Sequence, residues 1–425
     1  MQPHYECVCG VDLHKEFLQV CILRLNEEPE TFRVSNNSRG ILELKQRVEE
    51  RECECIACES TGVYYYRLYL AFEGSIRIIV GNAYHIKNIP GRKTDVRDAQ
   101  WIAELAMNGL INPSRMFDKE DRELRELTRT REAYVRMRTQ IKNRIHRILD
   151  SAGIPLRLGV RDIFGISGMH IIRGILNRTD TDEIIATIPS ARVKKKADFL
   201  REIVSESLSD LQILLIKNNL ELLAQINEQI GALDEQIITH MMDQERLDDV
   251  TIACSIPGVN ITSAVTILAE IGKYRDFESA EKLASWAGLT PSVYQSAGKH
   301  NSGKITKHGS EHLRWILVQT AKAAGRTVGT TFRKFFNRIS YRKGVNTATV
   351  ALARKILCIL WHLLINRESY VDPIKGASKK TPVLPKILKY NQEDVQRAID
   401  FIVGCGFKVM NVNPNIDLKL RGVDR

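Results

Sequence analysis

This 425-residue chain contains no uninterrupted run of about 18 apolar residues, the length a membrane-spanning helix requires. Its most apolar stretch, Ala348 to Ile365, is broken by Arg354, Lys355 and His362 and reads as a core helix. A secretory leader is missing too: charges punctuate MQPHYECVCGVDLHK, so the expectation is a cytoplasmic protein with no membrane partner. Nine cysteines are present without the repeated CxxC pair of a zinc site. The alternation of Cys7, Cys9, Cys53, Cys55 and Cys58 fits buried strands in a reducing compartment. Acids are scarce where bases are dense. Between Lys299 and Lys343 stand eleven Lys and Arg and a single acid, Glu311. The whole chain has 62 Lys and Arg against 51 Asp and Glu, a net charge of +11. That stretch therefore reads as a phosphate-binding surface, the plain alternative being a solvated face.

What is present begins with GRKTDVRDAQWIAEL, Gly91 to Leu105, which reads as a helix with two carboxylates near its start. Asp95 and Asp98 are separated by about 300° of helical rotation, so they share a face and can grip one cation. The plain alternative is capping: Thr94 caps the helix and its dipole favours both acids. Two further acids end predicted strands. Asp12 closes the apolar run that starts at Cys7, ahead of a turn at His14 to Glu16 and a second strand through Leu18, Val20, Cys21 and Ile22. Glu59 closes CECIACE, Cys53 to Glu59. The order Asp12, Glu59, Asp95, Asp98 resembles a ribonuclease H-like nuclease core. Such acids hold Mg²⁺ or Mn²⁺, hard cations that take oxygen ligands, and two ions about 4 Å apart stabilise the attacking and leaving oxygens of a phosphodiester.

Residues 1–112 accordingly read as an α/β unit. Helices are expected at Ser38 to Glu50 and Tyr64 to Phe72, a strand at Ile76 to Val80, and a basic loop ending at Lys93 that can guide a nucleic-acid backbone. From Lys119 the period changes. One long helix carries an apolar seam through Leu124, Leu127, Tyr134, Met137, Ile141, Ile145 and Ile148. A second, Phe199 to Met242, carries Leu208, Leu211, Leu215, Leu222, Ile226, Ile230, Leu233 and Ile237. Two such seams predict a long antiparallel coiled-coil arm over 113–245, with a helical insert between them. On the other face of the first helix, Arg136, Arg138, Lys142 and Arg144 are candidates for nucleic-acid contact, or else a solvated face. A mostly α-helical segment follows over 246–371. In it ACSIPGVNITSAVTILAEIG, Ala253 to Gly272, resembles a helix-hairpin-helix whose Gly258 turn offers backbone N–H groups to a phosphate; an ordinary helical hairpin is the alternative. Residues 372–425 read as a basic linker and a small appendage, with a helix at Gln392 to Ile402 and a strand at Phe407 to Val412.

GVDLHK, the ESTG around Glu59, KTDVRDA, IPGV, WAGLTPS, QSAGKHNSGKITKHGS and LRW stand in the order shown by the insertion-sequence 110 family of transposases. Most of residues 5–370 resemble this family, the DEDD transposases described as bridge-RNA-guided recombinases. The resemblance implies a RuvC-like domain with Asp12, Glu59, Asp95 and Asp98 as metal ligands, a coiled-coil arm, and a C-terminal transposase domain with a nucleophilic serine. Matching the motif puts that serine at Ser296, with Ala297 where the family usually has Gly. Ser292 and Ser302 are the nearest rivals, and a serine in such a loop is otherwise a turn former. Lys299, Lys304, Lys307 and Arg314 would meet the charge of the phosphate.

Also implied are a covalent phosphoserine intermediate, donor and target DNA, a structured noncoding guide RNA, and a homo-oligomer, dimer or tetramer, in the prokaryotic cytosol. Because the acids and the serine fall in different segments, a composite site between copies is expected. Delegating sequence choice to RNA pairing accounts for the lack of a helix-turn-helix or zinc-finger reader. Two other readings stand beside this one: a hydrolytic junction nuclease using the four acids and water, and a non-catalytic nucleic-acid-binding scaffold.

Overall fold

The computed structural model describes residues 4–60, 64–82, 95–204, 206–243, 246–296, 299–307 and 309–374, together with two strands at 408–411 and 418–421. The chain divides into two compact units, Met1–Phe117 and Asp118–Arg425.

In the first unit β1 (Cys7–Leu13), β2 (Phe17–Arg24) and β3 (Glu30–Ser35) form an antiparallel meander. The helix α1 (Ser38–Glu50) leads to β4 (Cys55–Glu59), and α2 (Tyr65–Phe72) leads to β5 (Arg77–Gly81). β4 pairs in parallel with both β1 and β5, giving the sheet order β3-β2-β1-β4-β5; α3 (Asp95–Met107) follows. Both faces of the sheet are covered, so β1 and β4 read as nearly continuous apolar runs rather than as alternation. On one face Cys9, Val11, Ile56 and Cys58 share a core with Leu44 of α1 and Phe72 of α2. On the other, Val8, Cys55, Ala57 and Ile79 pack with Ile102, Leu105 and Ala106 of α3. The strand cysteines are thus core residues, and burial pushes the thiols of Cys55 and Cys58 up to about 12. The strand β3 was not anticipated: ETFRVS is an edge strand with a single buried residue, Val34, and lacks an apolar run.

In the second unit α4 (Lys119–Ser151) leads through four short helices, α5 to α8 (Ile166–Leu176, Thr181–Ala186, Ala191–Lys194 and Ala197–Val204), to a second long helix, α9 (Asp210–Asp243). Arg131 pairs with Asp234 and Arg138 with Asn227, so α4 and α9 run antiparallel. The single helix expected from Phe199 to Met242 is two helices, broken ahead of Asp210. Its seam holds at Ile230 and Ile237 and shifts in the first half of the helix. Ile216, Leu223, Ile230 and Ile237 are buried, one every seventh residue, whereas Leu211, Leu215 and Leu222 are exposed. The first half of α9 is apolar on most sides, so periodicity alone does not choose a face. Packing chooses it: Ile213, Ile216 and Leu220 turn toward a core shared with Ile145, Leu149, Ile171 and Leu200.

Beyond α9 come α10 (Leu247–Cys254), α11 (Ile261–Ile271), α12 (Ala280–Trp286), a hairpin of β6 (Pro291–Ser296) and β7 (Lys299–Ile305), then α13 (Glu311–Arg326), α14 (Thr331–Lys343) and α15 (Val345–Asn366). The helices share a core that takes in Leu124 of α4 with Ile237 and Met241 of α9. The long helix pair is therefore anchored at both ends, here and among α5 to α8. By length and composition α15 could cross a membrane, but Leu352, Ile356, Leu357, Leu360 and Leu364 are buried in this core. The last two strands, β8 (Lys408–Asn411) and β9 (Leu418–Arg421), form an antiparallel hairpin. β8 falls where a strand was expected, and the helix expected at Gln392 to Ile402 lies outside the described residues.

Candidate active site

In the first unit Val11 of β1 lies opposite Cys58 of the parallel strand β4, so the next neighbours along the strands are Asp12 and Glu59. Alternation assigns both to the face that carries Val8 and Ala57, the face covered by α3. Gly10 permits that cover. A Cβ there would lie 2.3 Å from the Ala99 carbonyl oxygen and 2.6 Å from the Ala103 nitrogen. Val8 shares a cluster with Ile102 and Ala106 while Gly10 meets Ala99 and Ala103, so moving along β1 toward Asp12 means moving back along α3 toward its first turn. That turn holds Asp95 and Asp98. Asp98 is half-buried and stands four residues before Ile102. Asp95 stands four before Ala99; its side chain, like Lys93, lies outside the described residues.

The Asp12 carboxylate is engaged: its Oδ2 lies 2.9 Å from Nε2 of His14, whose ring stacks on Phe17 with centroids 4.4 Å apart. Among the described residues, no three His, Cys, Asp or Glu side chains gather closely enough to hold a metal ion. The topology thus brings four acid positions to one end of the sheet without closing the described ones into a ligand shell. All four are hard oxygen donors, the chemistry that Mg²⁺ or Mn²⁺ selects.

In the second unit the hairpin pairs Tyr294 with Asn301, Gln295 with His300 and Ser296 with Lys299, so Ser296 is the last strand residue before the tip. The side chains of Ser296, Lys299, Ser302 and Lys304 lie outside the described residues. Ser292 turns its hydroxyl across the hairpin onto Gly303, where a Cβ would come within 2.3 Å of Oγ. Lys307 is exposed, at φ 60°, with its N–H donating to the Gly288 carbonyl at 3.3 Å. Arg314 is half-buried and donates to the Gly309 carbonyl, and burial lowers its pKa.

The segment after the hairpin is held by a carboxylate that the sequence pattern did not single out. Glu270 of α11 is fully buried and accepts from Arg129 Nε at 2.7 Å and Nη2 at 3.0 Å, from Arg125 at 3.2 Å and from Ser310 Oγ at 2.8 Å. Burial pushes its carboxyl up. The Arg129 hydrogen bonds, both guanidinium charges and the Ser310 hydroxyl outweigh this and hold the group below its ordinary value. Ser310 also caps α13, accepting from the Leu313 N–H at 3.2 Å. Nearby, Glu132 lies 2.7 Å from His312 Nδ1 and accepts from Arg136. Residues 125, 129, 132 and 136 form one stripe on α4, and that spacing of charges was the available signal.

The remaining candidates have partners of their own. Arg136 is tied to Glu132, Arg138 reaches Asn227 Oδ1 at 3.4 Å, and Lys142 sits 4.8 Å from the Phe164 ring centre, while Arg144 is exposed. Gly258 has a packing role. At φ 91° it presses on α13, where a Cβ would lie 2.5 Å from the Ala324 nitrogen, and the following helix α11 is closed by a capping box of Asn260 and Ser263.

Residues 9–154 match a family described as transposase, of the DEDD IS110 type, and residues 250–337 match one described as transposase of the IS116/IS110/IS902 family. The chain is 25% identical over 372 residues to the transposase for insertion sequence element IS1111A of Coxiella burnetii, covering 85% of this chain and 91% of that one. It is 22% identical over 287 residues to the transposase for insertion sequence element IS1328 of Yersinia enterocolitica, covering 64% and 72%. To the pilin gene-inverting protein of Moraxella bovis it is 30% identical over 116 residues, covering 27% and 36%. Both units are thus matched by transposase families, and the chain belongs to the IS110 family of transposases, enzymes that act on DNA.

Proposed function

We propose that this transposase cuts and rejoins DNA through a covalent bond between phosphorus and the Ser296 oxygen. In this reading Asp12, Glu59, Asp95 and Asp98 hold Mg²⁺ or Mn²⁺ in a RuvC-like domain, and donor and target DNA are chosen by pairing with a structured noncoding RNA. The observation that carries the reading is the convergence of β1, β4 and the first turn of α3, which lines up four acid positions at one end of one sheet. Capping alone does not call for Asp12 beside Glu59.

In the cutting step the Ser296 hydroxyl gives up its proton and its oxygen bonds phosphorus, while a sugar oxygen leaves and takes a proton. In the rejoining step a sugar hydroxyl of another strand displaces the serine oxygen, which recovers its proton. One phosphoester replaces another at each step, so no nucleotide cofactor is consumed. A bound divalent cation supplies charge to the phosphate oxygens. Lys299, paired with Ser296, supplies further positive charge at the hairpin tip, while Lys304 and Lys307 stand at the other end of the hairpin, where Ile305 pairs with Pro291. The antiparallel α4 and α9 pair serves as the coiled-coil arm of a dimer or tetramer acting in the cytosol.

Excision of the element from cells carrying the gene with its noncoding flanks tests this reading. Excision should occur with the native chain and fail with Ser296→Ala, Asp12→Asn or Asp98→Asn. Excision that persisted in both aspartate variants would remove the metal half of the proposal, and persistence in Ser296→Ala would remove the serine half.

A further inference from the structure

The helix α14, TFRKFFNRISYRK, is anchored by its N-terminal half alone. Phe332 is fully buried and stacks on Tyr370 with ring centres 5.1 Å apart, and the Phe336 ring packs against Gly325. Asp372 clamps the start, accepting from the Thr331 N–H at 3.0 Å and the Thr331 hydroxyl at 2.9 Å, while Thr330 caps the first turn. The C-terminal half has no buried residue, and exposure is continuous from Tyr341 through Thr347.

The outward face combines two features that are costly in water. Lys334, Arg338 and Arg342 recur every fourth residue, a row of like charges about 6 Å apart along the axis that destabilises an isolated helix. The helix carries no acid, and none of these three, nor Lys343, has an ion-pair partner among the described residues. In the same stripe Tyr341 is 94% exposed, a large ring with no other ring or cation laid against it among the described residues. A row of unneutralised cations fits a chain of phosphates, and a bare ring beside it fits the face of a base. That face is available only where the base is unpaired, so the partner is a single strand rather than intact duplex.

We propose that α14 binds unpaired nucleotides, with Lys334, Arg338 and Arg342 on the phosphates and Tyr341 stacked on a base. This rests on the reading of the chain as a strand-exchanging enzyme, whose reaction opens duplexes, and it assigns the opened strand to a named surface. Phosphates and bases are common to DNA and RNA, and the experiment separates the two.

Binding of the full-length chain is measured by fluorescence anisotropy with labelled single-stranded DNA, single-stranded RNA of the same sequence, and duplex DNA. Tyr341→Ala should weaken binding of one single strand by at least about fivefold, Tyr341→Phe should bind as the native chain does, and duplex binding should not change. The strand that loses affinity is the one bound. Lys334→Gln with Arg338→Gln should reduce the salt dependence, log K against log salt, by about 1.4, or about 0.7 for each phosphate left unneutralised. The readout is equilibrium binding and needs no cleavage, so failure of the serine chemistry leaves this test readable. Native affinity of Tyr341→Ala for both single strands, or an unchanged salt slope in the double variant, would overturn the proposal.

Discussion

Replacing Glu270 should cost the second unit far more stability than an ordinary polar substitution at its surface. Its carboxylate is fully buried and takes four hydrogen bonds from Arg125, Arg129 and Ser310. Breaking a buried ion pair from one side costs about 3–5 kcal/mol, because the partner charge is left without compensation. Glu270→Ala strands two guanidinium groups, but the Arg129 side chain is 36% exposed and can rehydrate, whereas Arg125 is only 18% exposed. The expected loss is therefore about 3 kcal/mol, the lower end of that range. Urea unfolding followed by far-ultraviolet circular dichroism reads it. The sign with pH follows from the depressed carboxyl. The stabilisation is fully present above the ordinary value of 4.5 and is lost as pH falls through the lower folded-state value. The gap between native chain and Glu270→Gln should accordingly be constant between about pH 6 and 8 and shrink in acid. A loss below about 0.5 kcal/mol in Glu270→Ala, within the range of ordinary surface substitutions, would refute the argument.

Gly10→Val should destabilise the first unit by about 1–3 kcal/mol and abolish excision, since a Cβ meets the Ala99 carbonyl at 2.3 Å and must lift α3 off the sheet; a variant with native melting and native excision would contradict this. Gly258→Ala, at φ 91° and against the Ala324 nitrogen, should lower the melting temperature of the second unit while leaving that of the first unchanged. The buried thiols of Cys55 and Cys58, pushed up to about 12, remain neutral at pH 8. They should react with a disulfide reagent only on unfolding, and mass spectrometry of native protein labelled at these two positions would show otherwise.

Much of the first unit was legible because its strands are buried on both faces and end in acids: CVCGVD and CIACE declare themselves by composition, and α1 follows a capping Asn37. The acids were legible for the same reason. Their grouping was not, since it depends on the parallel register of β1 with β4 and on the close approach of Ala99 to Gly10, both long-range facts. The β6 and β7 hairpin was missed because its residues are polar and small, without alternation strong enough to mark strands. On α9 the seam is legible at Ile230 and Ile237, but in the first half it reads through Leu215 and Leu222, each one position before a buried residue, because a segment apolar on most sides leaves the choice to its neighbours. Arg136 read as a nucleic-acid contact because its partner Glu132 is itself claimed by His312, a residue far along the chain.

The most direct test of the account is to trap the covalent step. The native chain, expressed with the noncoding DNA that flanks its gene, is denatured, stripped of free DNA, digested and searched by mass spectrometry for a nucleotide attached to the peptide that contains Ser296. The account predicts that adduct in the native chain and its absence in Ser296→Ala. Metal-dependent cleavage with no adduct, or an adduct unchanged in Ser296→Ala, would contradict it.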